Sequence, residues 1–158
     1  MNKTILITGA NRGIGLALTK LSLSKNYNVE ACCRNLDNSI ELNNLSQKHN
    51  NLNKKDGAKI VIISSLMGSQ THSSSNAPIY RASKAAANNL MRSISSQFLN
   101  ENIVVCSYHP GWVRTDMGGL NADITPEDSA KGLLKHFESL TMKDTGRFYN
   151  YDGSDIPL

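Results

Sequence analysis

The feature that most constrains this chain is the run Thr8-Gly9-Ala10-Asn11-Arg12-Gly13-Ile14-Gly15, with glycines spaced G-x-x-x-G-x-G. It follows an apolar segment, Thr4–Thr8, and leads into Ile14, Ala17, Leu18 and Leu21, which recur at helical spacing. A strand, a glycine turn and a helix in that order turn free backbone N–H groups and the positive helix end toward one spot, where a diphosphate is well received. Glycine lets the ligand approach the backbone and lets the helix pack on the strand. The spacing differs from the commoner dinucleotide pattern G-x-G-x-x-G, so the turn alone is also compatible with a purely structural role.

The rest of the chain continues the alternation. Val29–Cys33, Ile60–Ser64, Ile103–Ser107 and Arg147–Asn150 read as further strands. The third strand carries Ile-Val-Ile-Ile without polar alternation, as a parallel strand covered on both faces does. Ala82, Ala86, Leu90, Ile94 and Phe98 recur every fourth residue, and Ala130, Leu133, Leu134, Phe137 and Leu140 mark a late helix. Thr125-Pro126-Glu127-Asp128 starts that helix, with Thr125 as cap, Pro126 at the first helical position and acids against the dipole. Between Asn35 and Asp56 the helical pattern is weak, through Ile40, Leu42 and Leu45, and Asn50–Gly57 reads as a polar loop. Strands alternating with helices predict one α/β domain over residues 1–158, with a mainly parallel sheet of about five strands.

Composition excludes several classes. Hydrophobic residues make up 39% and charged residues 19%, as in an ordinary folded domain. No apolar run approaches the ~20 residues that span a bilayer, and the start of the chain turns glycine-rich too soon for a signal peptide. No membrane role and a cytoplasmic location are therefore expected. Cys32, Cys33 and Cys106 lie in apolar stretches without metal-ligand spacing, so they read as small buried hydrophobes and no metal is expected. The formal charge of +4 is scattered, with no basic stripe interleaved with aromatics, which argues against nucleic acid. A modest positive field suits an anionic cofactor.

Two further constellations carry chemistry. The second strand ends in Cys33 with Arg34 directly after it, where dinucleotide folds place either an acid for ribose hydroxyls or an Arg for a 2′-phosphate. With Arg12 in the glycine turn, this predicts NADP(H) rather than NAD(H). Tyr80 and Lys84 stand at i and i+4, on one face of a helix, fifteen residues after a strand ending Ser64-Ser65. A nearby ammonium favours a phenolate, so Tyr80 can exchange a proton with a carbonyl or alcohol oxygen that a serine hydroxyl also holds.

Together, Thr8-Gly9-x-x-x-Gly13-x-Gly15, Ser65, Tyr80-x-x-x-Lys84 and Pro110-Gly111-x-Val113-x-Thr115 resemble the motif set of the short-chain dehydrogenase/reductase superfamily. The run His109–Gly119 and the ending Gly146–Gly153 are similar to its C-factor/sniffer-type carbonyl reductase branch. The resemblance implies a Rossmann-like three-layer fold and NADP(H)-dependent interconversion of a carbonyl compound and its alcohol. It implies Tyr80 as acid/base, Lys84 as the group that lowers its pKa and holds the nicotinamide ribose, and Ser65 as the residue orienting the carbonyl. Gly9, Asn11, Arg12, Gly13, Ile14, Gly15 and Arg34 would bind the cofactor, with Pro110, Gly111, Val113 and Thr115 at its nicotinamide end.

Against that family the chain is short in its middle. Two strand–helix units are missing between Leu52 and Lys59, giving a seam near residues 50–58. With them go the acid after the third strand, the Asn-Asn-Ala-Gly motif and the helix carrying the catalytic asparagine. Asn88, one turn beyond Lys84, shows no sign of taking that role. The loss leaves either a gap or direct pairing of the first strand with Ile60–Ser64. It also leaves the family's dimer face incomplete, which bears on any homo-oligomer. Three readings follow: a working carbonyl reductase on a small-molecule substrate, a nucleotide-binding or signalling protein without turnover, and a truncated gene product.

Overall fold

A computed structural model describes residues 3–33, 39–41, 45 and 58–158. Within them, β1 (Thr4–Thr8), α1 (Gly13–Ser24) and β2 (Asn28–Cys32) are followed by β3 (Lys59–Ile63), α2 (Pro78–Gln97), β4 (Val104–His109), α3 (Pro126–Ser139) and β5 (Phe148–Asn150). Short 3-10 turns lie at Leu66–Gly68, Leu99–Glu101 and Met142–Asp144. The fold is α/β, and all five strands pair in parallel, as the sequence predicts. The Asn50–Gly57 loop and the seam near 50–58 fall almost wholly outside the described residues, and Arg34 does so completely.

The strands form two ladders. β1 pairs with β2 from Thr4↔Asn28 to Thr8↔Cys32. β4 lies between β3 and β5, with Lys59↔Val104 to Ile63↔Tyr108 on one side and Ser107↔Phe148 to His109↔Asn150 on the other. The chain falls into two compact units, Met1–Lys54 with Trp112–Leu134, and Lys55–Gly111 with Lys135–Leu158.

In the first unit, α1 packs on both strands, and Ile7, Ala10, Ala17 and Leu18 are buried. The second unit is centred on β4, whose Val104, Val105, Cys106 and Tyr108 are buried. Tyr108 is ringed by Phe137 and Tyr149 and donates to His136 Nδ1, or accepts from it, at 2.6 Å. The late helix starts as predicted: the Asp128 N–H donates to Thr125 Oγ1 at 3.1 Å, and that hydroxyl donates to Asp128 Oδ2 at 2.7 Å. Among the described residues, no helix is long and apolar enough to cross a membrane.

Three sequence expectations need correction. β3 is not fully covered: its residues are half-buried or exposed, and among the described residues it stands at the margin of its ladder, paired with β4 alone. Cys32 is exposed and Cys33 half-buried, and only Cys106 is the buried thiol expected of all three. Ala82, Ala86 and Leu90 do not form the buried side of α2, which instead runs through Asn88, Met91 and Ser95. A recurrence of four identifies a helix, but small and polar residues allow the close approach that decides which side packs.

Candidate functional site

The predicted residues fall into both units, and each set is built locally. In the first, the glycine turn follows β1 directly. Gly9 and Gly13 take φ +67° and +52°, a conformation that favours glycine. Gly15 is required for a different reason, since a Cβ there would collide with the Gly9 carbonyl. The turn is pinned to the ladder by the Ala10 N–H, which donates to Cys32 O at 3.0 Å. Arg12 precedes α1 in extended conformation, with no side-chain cap and no acid in the first helical turn. Asn11 and Ile14 are half-buried.

Those observations fit a nicotinamide dinucleotide's diphosphate. Backbone freedom at Gly9 and Gly13, the space that only glycine leaves at Gly15, and an uncapped helix start without an acid all favour an anion. The loop after Gly111 belongs to the same unit. Val113 is buried and bridges to Ile124, and Thr115 Oγ1 donates to Val113 O at 3.3 Å while accepting from Gly118 N–H at 3.2 Å. A Cβ on Gly13 would stand 3.2 Å from Thr115 Cγ2, so the turn and Thr115 are in contact.

In the second unit, β3 delivers Ser64 and Ser65 to the start of a 3-10 turn. Ser65 is buried, and its Oγ accepts the Met67 N–H at 3.2 Å, capping that turn. Tyr80 lies in the first turn of α2, whose entry is set by Ala77 at φ +46° and Pro78 at the first helical positions. Lys84 Nζ sits 5.6 Å from the Tyr80 ring centroid and donates to Ile63 O at 3.2 Å. Ser64 Oγ donates back to Lys84 O at 3.1 Å, so helix and strand end are fastened at both Ile63 and Ser64. Partial burial holds the Lys84 ammonium below its usual pKa. Pro110 is half-buried, and Gly111 turns the chain at φ +86°.

Gly68 and Asp116 carry no signal that sequence reasoning takes up, and Asn88 is given no role there. Gly68 lies so close to α2 that a Cβ would stand 2.7 Å from the Lys84 carbonyl carbon. Asn88 is buried beneath it, donating from Nδ2 to Gly68 O at 3.3 Å with Oδ1 unpartnered. It therefore braces the turn. Asp116 meets Arg12, Nη1 to Oδ2 3.6 Å. The T-D dipeptide beside Thr115 was the available signal for that last residue.

Residues 42–124 match the family model described as short chain dehydrogenase. C-signal of Myxococcus xanthus is 39% identical over 100 residues, covering 63% of this chain and 60% of that protein. This chain spans about half the length of other curated relatives it matches, 45% and 49% in two oxidoreductases from yeasts. An NADPH-bound carbonyl reductase from chicken fatty liver superposes with a TM-score of 0.87 at 27% identity, covering 99% of each chain. Carbonyl reductase Sniffer of D. melanogaster gives a TM-score of 0.85 at 24% identity over 100% of each chain, which shows the Rossmann-like fold.

Proposed function

Because the chain belongs to the short-chain dehydrogenase family, we propose that it interconverts a small carbonyl compound and its alcohol with NADP(H), using Tyr80 as acid/base. The observation that carries this reading is the Lys84 ammonium held beside the Tyr80 ring by the Ile63 carbonyl. In carbonyl reduction the Tyr80 hydroxyl gives its proton to the substrate oxygen, and the positive charge of Lys84 stabilises the phenolate left behind. In the reverse direction the phenolate takes the alcohol proton. Ser65 Oγ, fixed by the Met67 N–H, keeps its own proton free to donate to the same oxygen. When bound, the cofactor supplies or accepts the hydride.

Gly9, Asn11, Arg12, Gly13, Ile14 and Gly15 hold the cofactor's phosphates, and the 2′-phosphate is assigned to Arg12 and Arg34. Pro110, Gly111, Val113 and Thr115 hold its nicotinamide end. The uncapped, acid-free start of α1 and the glycine conformations support the first assignment. The test is NADPH oxidation by the purified chain, followed at 340 nm with aromatic aldehydes and ketones. Tyr80→Phe is expected to cut turnover by about 10²- to 10⁴-fold while NADPH still quenches protein fluorescence saturably. Unchanged turnover in that variant would refute the role of Tyr80.

The shortening relative to curated proteins favours a second reading, a nucleotide-binding or signalling protein without turnover. It predicts saturable NADPH binding, no carbonyl-dependent oxidation in the wild type, and no effect of Tyr80→Phe on that binding.

A further inference from the structure

Arg12 and Asp116 lie in one unit and face each other across adjoining contacts. Their side chains approach to 3.6 Å, and the neighbouring residues Gly13 and Thr115 pack against each other at the same place. The glycine turn is thus joined to the 112–124 loop by packing and by charge. That loop is internally braced: Trp112 Nε1 donates to Gly118 O at 2.9 Å, Arg114 Nε to Ala122 O at 2.8 Å, and Ile124 N–H to Trp112 O at 3.2 Å. Whatever holds or frees Asp116 therefore acts on the loop that carries Trp112, Met117 and Leu120, all of which are exposed.

Resting on the reading that Arg12 takes the cofactor's 2′-phosphate, we propose that Asp116 is a built-in competitor for that guanidinium, so that 2′-phosphate recognition releases the 112–124 loop. The Arg12 and Asp116 side chains are 70% and 87% exposed, so the pair is weak and exchanges freely. A 2′-phosphate carries nearly twice the charge of a carboxylate and accepts from both arms of the guanidinium, so it displaces Asp116. Linkage makes the relation reciprocal: whatever weakens the Arg12–Asp116 pair strengthens the grip on the 2′-phosphate. A ligand without that phosphate leaves the pair intact. Asp116 is accordingly a positioning residue that acts through Arg12, and it makes the loop respond to NADP(H) but not to NAD(H).

The experiment uses the intact chain with two probes, adenosine 2′,5′-bisphosphate and 5′-AMP, titrated calorimetrically at low salt. Asp116→Asn is expected to tighten the bisphosphate by about two- to fivefold, the size of one exposed ion pair, and to leave 5′-AMP unchanged. Asp116→Glu restores wild-type affinity, and in an Arg12→Gln background Asp116→Asn has no effect. The chain has a single tryptophan, so acrylamide quenching of Trp112 reports the loop. Quenching rises when bisphosphate saturates the wild type, does not rise with 5′-AMP, and is already raised in free Asp116→Asn.

Equal shifts for both probes, or no shift, would overturn the proposal, as would Trp112 quenching that ignores the bisphosphate. Failure of the underlying reading looks different: the wild type then shows no saturable binding of NADPH, or Arg12→Gln leaves bisphosphate affinity intact. If Arg12→Gln weakens the bisphosphate and Asp116→Asn does nothing, only the role of Asp116 falls.

Discussion

Gly68→Ala is the sharpest single perturbation of the second unit. Gly68 closes the 3-10 turn begun by Ser65, whose carbonyl accepts the Gly68 N–H at 2.8 Å. An added methyl would stand 2.7 Å from Lys84 C and 2.8 Å from Lys84 Cβ and O. These are atoms of a helix backbone and its root, not the end of a side chain that can swing away. Restoring ordinary carbon contact distances requires the turn to lift by about 0.7 Å or more. Asn88 Nδ2 already reaches Gly68 O at only 3.3 Å, so that movement breaks its hydrogen bond and leaves a buried amide with no partner. Overpacking costs about 1–3 kcal/mol and the orphaned amide about 1 kcal/mol more. The sum, about 2–4 kcal/mol, corresponds to a fall in Tm of roughly 4–16 °C for a chain of this size.

Urea denaturation followed by far-UV circular dichroism measures the effect as a lower midpoint at unchanged slope. Gly9→Ala is the control, because φ is +67° there but nothing lies within 4 Å of the new methyl. It pays only the left-handed backbone term, about 1–2 kcal/mol. If Gly68→Ala matches the wild type within about 0.5 kcal/mol, or is milder than Gly9→Ala, the tight crossing of turn and helix is refuted.

Two further outcomes are expected. Burial, with the nearby Asp144 charge, pushes the Cys106 thiol up to about 12, whereas Cys32 is exposed; iodoacetamide should therefore label Cys32 in the native chain and Cys106 only after unfolding, as peptide mass spectrometry reads it. Burial works against the Asp144 charge, but hydrogen bonds from the Thr141 N–H, Tyr149 hydroxyl and Thr141 hydroxyl win and hold its pKa low. Its stabilisation is present above the ordinary carboxylate pKa and is lost as pH falls through the depressed one. Asp144→Ala uncaps the turn and strands the buried Tyr149 hydroxyl, so it should cost about 2–3 kcal/mol at neutral pH and flatten the acid limb of the stability profile.

Much of this was legible in the sequence because it depends on short-range rules. The glycine turn, the Thr125 cap and the Tyr80–Lys84 face each follow from spacing within one or two turns of chain. Strand positions were read to within two residues at each end, since apolar runs mark them directly. What spacing does not encode is which element covers which. The Ile-Val-Ile-Ile run reads as a fully covered strand, yet the neighbour on one side of β3 is absent among the described residues. Cys32 reads as core for the same reason. The buried side of α2 was hidden because it is small and polar at Asn88 and Ser95, matched to a glycine twenty residues away from Asn88. Asp116 escaped notice because its partner, Arg12, is remote in sequence and adjacent only after folding.

The division into two units bears on how the chain is made. Each unit is assembled from two stretches of sequence, with a stretch of the other unit between them. Domains built from one continuous stretch can fold as they leave the ribosome, N-terminal first. Here β1, α1 and β2 must wait for Trp112–Leu134, and β3, α2 and β4 must wait for β5. Neither core is complete until its second stretch has emerged, so strand edges stay uncovered until those later residues arrive.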